Sequence, residues 1–156
     1  MADPERLMVA AFTDPDTTPN VFEDGVWPRH LPVFGWANAD PDEFIAGVAA
    51  VASRYSLLWL TIAEQVSNEY GSTLWSVDQC GTVKNLHRAV ALELGARGIQ
   101  PVDLSETGDQ YPGLIVSSTR HVPYEPGDSV KLPKLAIIAH VDIGNVVLSQ
   151  LRMGVS

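Results

Sequence analysis

Residues 40–71 read DPDEFIAGVAAVASRYSLLWLTIAEQVSNEYG. Its first residues mark a helix start. Asp40 can accept backbone N–H groups as the cap, Pro41 suits the first helical position, and Glu43 stands where a capping-box partner belongs. Phe44, Val48, Val51, Tyr55, Trp59, Ile62, Val66 and Tyr70 then recur at helical gaps, and Gly71 is a good stop. The spacing predicts one long N-capped helix from Pro41 to Gly71. Unbroken, it would be a rod roughly 45 Å long, so a kink or break is allowed at Ala52-Ser53-Arg54-Tyr55-Ser56.

Proline sets the context on either side. Six of the eleven prolines fall at or before Pro41, and none lies between Asp42 and Gln100. Proline interrupts helix interiors and central strands, so residues 1–39 read as an irregular arm rich in Pro and aromatics. Within it, Leu7 to Phe12 reads as a short first helix behind the acidic Asp3 and Glu5. A second helix is predicted from about Asp78 to Leu94, with Val83, Leu86, Val90 and Leu94 as its stripe. After it come a short edge strand at 99–104, a strand at Leu114–Ser118, a strand at Lys134–Val141, a turn at Asp142–Asn145 and a returning strand from Val146 to Leu151. The expected fold is α+β: the long helix and the second helix packed on a small, mostly antiparallel sheet. The chain reads as a single domain, 1–156, with an arm (1–39), a helical part (40–98) and a strand part (99–156). No internal repeat or low-complexity tract stands out.

Composition narrows the function classes. The 156 residues hold 19 acidic and 10 basic side chains, a formal charge of −9. Phosphate backbones select for clustered Lys and Arg, so nucleic acid is not an expected partner. No basic patch for a membrane surface appears, and no apolar run is long enough to span a bilayer. The start of the chain lacks the basic residues and apolar length of a secretory signal, and a cytoplasmic location is expected. Cys80 is the only cysteine, which excludes an internal disulfide and a cysteine-based zinc cage.

Several strings invite a chemical reading. Ala136-Ile137-Ile138-Ala139-His140-Val141-Asp142-Ile143-Gly144-Asn145-Val146-Val147-Leu148 resembles the strand and phosphate loop of translation GTPases. The positions that need a lysine and a Ser or Thr hold Asn145 and Val146, so no nucleotide is expected there. His140 and Asp142 share a strand face, and with His121 or Asp128 they could ligate a metal. A hydrogen-bonded His140 beside a turn-forming Asp142 is the plainer reading, and no metal or cofactor is expected. Cys80 and His87 share a helix face but lie about 10 Å apart along it, too far for direct proton exchange. Asp103, Glu106 and Asp109 read as solvated loop charges. No catalytic residue is assigned.

The stretch from Phe22 to Trp36 packs Phe22, Trp27, Phe34 and Trp36 among Pro and Gly residues. It either folds back on the core or docks on a partner, and aromatics are enriched at interface anchors. Trp27, Phe34 and Trp36 are the expected partner-binding residues. Phe22-Glu23-Asp24-Gly25 followed by Leu31-Pro32-Val33-Phe34-Gly35-Trp36 resembles, in outline, the tail-terminator subunits of long-tailed phages, which implies an assembly role. The expected function is therefore non-enzymatic: an interaction or assembly protein that self-associates or binds a protein partner. It could be an oligomeric virion subunit or an acidic inhibitor-type binder. The alternative is a small metal-dependent hydrolase.

Overall fold

The computed structural model describes residues 5–23, 26–69, 72–101, 114–118, 123–142 and 144–154. Its elements are β1 (Glu5–Phe12), β2 (Val21–Phe22), β3 (His30–Ala39), α1 (Pro41–Ala52), β4 (Leu58–Glu69), β5 (Ser72–Val77), α2 (Cys80–Ala96), β6 (Leu114–Ser118), β7 (Ser129–Leu132), β8 (Lys134–Val141) and β9 (Gly144–Arg152). The nine strands form one sheet in the order β2-β9-β8-β1-β3-β6-β5-β4-β7, with antiparallel neighbours throughout. The architecture is an antiparallel half-barrel carrying two helices. It is not the helix-dominated α+β fold with a small sheet that the sequence led us to expect.

The expected long helix is the largest correction. It begins at Pro41 as predicted, although Asp40 makes no side-chain cap bond, and it ends at Ala52. Residues 58–69 then form β4. The break falls at the segment where one was allowed, but the chain leaves it as a strand. Beyond the register shift between Ile62 and Glu64 the phase is lost and Val66 is 53% exposed; before it, Leu58, Leu60 and Ile62 are buried and Trp59 between them is 62% exposed. That is a two-residue alternation over β-favouring residues, and it overrides the three-and-four spacing that runs through the same positions.

The supposed irregular arm supplies the centre of the sheet. β1 lies between β3 and β8. Its Leu7-Met8-Val9-Ala10-Ala11-Phe12 run is buried on both faces, which is why it shows no alternation and reads equally as a short helix. Pro32 is accommodated in β3 because the β1–β3 pairing shifts register between Val9↔Phe34 and Ala10↔Pro32. An irregular ladder tolerates a residue without an N–H. The strand predictions nearer the C-terminus match β6, β8 and β9. The proposed edge strand at 99–104 and the acidic loop behind it lie mostly outside the described residues. Pro101 forms an isolated bridge to Ala37.

Alternation divides the core. One face of the sheet, with Leu7, Val9, Leu31, Val33, Ile137 and Ala139, packs under Phe44, Val48 and Val51 of α1 and Leu86, Val90 and Leu94 of α2. The other face carries a second cluster of Met8, Ala10, Phe12, Phe22, Ala136 and Ile138, with Trp27 and Trp36 packed against it. No helix among the described residues is long and apolar enough to cross a membrane.

Candidate active site

The second face holds a chain of rings. Phe12 ends β1 and meets Phe22 edge-on at 6.2 Å, and Phe22 meets Trp27 at 4.8 Å. Trp27 lies 4.9 Å from the His30 ring and 6.3 Å from Trp36. Trp36 in turn reaches His140 at 5.7 Å, and the Arg6 guanidinium lies 5.5 Å from the Trp36 ring centre. Strand periodicity explains the grouping, because the side chains of Met8, Ala10 and Phe12 on β1 and of Ala136 and Ile138 on β8 all point this way.

His30 is the titratable group at the centre. It opens β3 opposite Phe12 on one side and Val116 on the other. Burial lowers its pKa to about 4, partly offset by a hydrogen bond to the Pro28 carbonyl. Nδ1 lies 2.8 Å from that carbonyl oxygen, which can only accept, so Nδ1 carries the proton. Nε2 is then left with its lone pair. A neutral imidazole of fixed tautomer can accept a proton at Nε2 at neutral pH, and the burial that keeps it unprotonated also makes it a weaker base than an exposed imidazole.

The expected site residues separate. Trp27 and Trp36 sit half-buried on the His30 face. Phe34 is buried in the helix-side core, stacked at 6.3 Å on His87. Trp27, Phe34 and Trp36 therefore do not make one surface. His87 donates from Nδ1 to the Val33 carbonyl at 2.6 Å and is a satisfied core histidine. Cys80 opens α2. His140 and Asp142 are exposed near the β8–β9 turn, His121 lies outside the described residues, and no group of three potential ligands gathers among the described residues.

One signal in the sequence, a short repeat, had no part in the expectations from sequence. Arg29-His30-Leu31-Pro32 is repeated as Arg120-His121-Val122-Pro123. The described residues that bracket the second copy lie beside the first. Ser118 ends β6, which pairs with β3 at His30↔Val116. Tyr124 follows the repeat directly, and its ring lies 4.5 Å under the Arg29 guanidinium. Burial raises the Tyr124 phenol above its usual pKa, against the lowering effects of a Thr13 hydrogen bond and the Arg29 charge.

No protein-family model and no curated protein matches the sequence. Solved structures do match the fold. The crystal structure of E. coli LigT complexed with 3'-AMP superposes with a TM-score of 0.59 at 13% identity, covering 97% of this chain and 99% of that one. A crystal structure of a phosphoesterase gives 0.56 at 12% identity, over 98% and 100%. A protein of Thermus thermophilus gives 0.52 at 16% identity, over 95% and 97%. The fold is thus a LigT-like one along the whole chain. This likeness overturns the expected non-enzymatic assembly role, in both its phage-virion and its inhibitor form. The outline resemblance to tail terminators fails on the same ground, since Phe22 ends β2 and Leu31 to Trp36 lie in β3 of the LigT-like sheet.

Proposed function

We propose that this protein is a phosphoesterase that opens a nucleotide phosphodiester by histidine acid–base chemistry. The observation that carries the reading is His30: a buried imidazole, neutral with Nε2 unprotonated, at the centre of a sheet whose fold is shared with phosphoesterases. In the reaction, Nε2 takes a proton from water as the water oxygen attacks phosphorus. The bond from phosphorus to the leaving ribose oxygen breaks, and that oxygen must receive a proton. His121, in the second Arg-His-x-Pro copy, is our candidate donor. The half-buried Trp27 and Trp36 offer an apolar face to a nucleoside.

A nucleoside 2',3'-cyclic phosphate fits this scheme. Its strained ring favours opening, and release of the 2' oxygen leaves a 3'-monophosphate, the kind of ligand held in the E. coli LigT complex. The test is phosphorus NMR of adenosine 2',3'-cyclic phosphate incubated with the protein. We expect the cyclic diester signal to be replaced by a monoester signal at a rate proportional to enzyme. A signal unchanged over days at micromolar enzyme would refute the proposal.

A further inference from the structure

A cavity of about 500 Å³ has Asp14, Asp16, Lys131, Lys134 and Arg152 in its lining. The chain carries ten basic residues against nineteen acidic ones, yet three of the ten meet here. Overall charge repels an anion from this protein, so a local cluster of cations is where one would be held.

The register places the cluster beside His30. Lys134 pairs directly with Arg152 across β8 and β9. By alternation Lys134 shares the face of Ala136 and Ile138, the face of the aromatic cluster. Ala10 pairs with Ala136, so the β1–β8 ladder, continued by two residues, sets Lys134 level with Phe12, which pairs with His30. Lys134 and His30 are therefore two strand spacings apart, about 10 Å between backbones. Two carboxylates also line the cavity. Asp14 lies 3.6 Å from Arg29, and Asp16 lies 3.9 Å from Lys134 while its side chain is 93% exposed. So exposed an ion pair is weak, and Asp16 can swing into solvent when a stronger anion arrives.

We infer that this cavity is a second anion subsite, and that the substrate of the reaction above carries a diphosphate in addition to the phosphodiester that is opened. The anion subsite stands apart from the phosphoesterase reading; that its occupant is part of the substrate rests on it. The chemistry recognised is that of a nucleoside 5'-diphosphate: Lys134 and Arg152, a direct cross-strand pair, would hold a pyrophosphate-type anion, while the Lys131 ammonium stands 5.5 Å from the Trp59 ring centre at the edge of the site.

Two measurements test it. The first compares kcat/KM for adenosine 2',3'-cyclic phosphate with that for its 5'-diphosphate derivative. We expect the diphosphate derivative to be preferred by tenfold or more, and the ratio to collapse towards one in the Lys134→Ala/Arg152→Ala double variant. A ratio of one in the wild type, or a ratio unchanged in the double variant, overturns the subsite. The second is a calorimetric titration with inorganic pyrophosphate, which needs no turnover. The double variant should weaken binding at least tenfold, and Asp16→Asn should strengthen it about threefold. If neither adenosine compound is turned over, the phosphoesterase reading fails and the titration alone decides the subsite. Absence of saturable pyrophosphate binding, or equal affinity in wild type and double variant, then overturns it.

Discussion

A proton added to His30 would create a charge among Phe12, Trp27 and the backbone, with little water to solvate it. The folded pKa of about 4 lies below the ordinary 6.5 of the unfolded chain. Between these values the unfolded state binds more protons, so stability rises with pH across the window and the burial penalty appears as pH falls through it. The full effect is on the order of 3 kcal/mol. His30→Asn keeps an amide donor for the Pro28 carbonyl and removes the titrating nitrogen. Denaturant unfolding at pH 4.5 and pH 7 should therefore differ less in this variant than in the wild type. An identical difference in both proteins would assign the pH dependence to other groups. Trp36→Ala should raise KM for a cyclic nucleotide roughly tenfold with kcat nearly unchanged, on the scale of base–aromatic stacking. An unchanged KM would remove Trp36 from substrate contact. At this scale the sequence was legible in part. His121 stood in view only as a possible metal ligand and His30 only as an unremarked member of the aromatic stretch; the four-residue repeat around them is short and widely separated, and only the β3–β6 pairing brings the flanks of its two copies together.

The element that misled most is β4. Ile62 belongs both to the helical series Tyr55, Trp59, Ile62, Val66 and to the alternating series Leu58, Leu60, Ile62. Only the second series is buried throughout. Ile62→Ala should therefore cost about 2–5 kcal/mol. Val66→Ala should stay within about 0.5 kcal/mol, because that side chain is in water. Comparable losses from both in urea melts would favour the helical series. By contrast, β8, its turn and β9 were readable from a β-branched run followed by Asp142-Ile143-Gly144-Asn145. Gly144 explains why that string imitates a phosphate loop. It has φ +131°, and a Cβ there would stand 2.7 Å from the Phe22 carbonyl oxygen. The glycine serves the β2–β9 approach. Gly144→Ala should cost about 1–3 kcal/mol of backbone strain alone. At about 2–4 °C per kcal/mol for a chain of this size, that lowers the melting temperature by roughly 2–12 °C, and a melt matching the wild type would contradict this account of the turn.

Over the whole molecule, β3 and β6 are the seam where β2-β9-β8-β1 on one side meets β5-β4-β7 on the other. Long-range pairing of this kind leaves little trace in local periodicity, which explains why α2 was readable and the sheet order was not. A polar group at such a seam is set by two halves of the chain at once. His30 is therefore the proposed base, and the second Arg-His-x-Pro copy the proposed source of the acid. If the two histidines act in one step, their effects cannot add. The decisive measurement is kcat/KM on adenosine 2',3'-cyclic phosphate for the wild type, His30→Asn, His121→Asn and the double variant, with circular dichroism confirming the fold of each. Each single change should lower the rate by about 10²–10⁴, and the double variant should be no worse than the poorer single one. A folded His30→Asn protein that turns over at the wild-type rate would contradict the account.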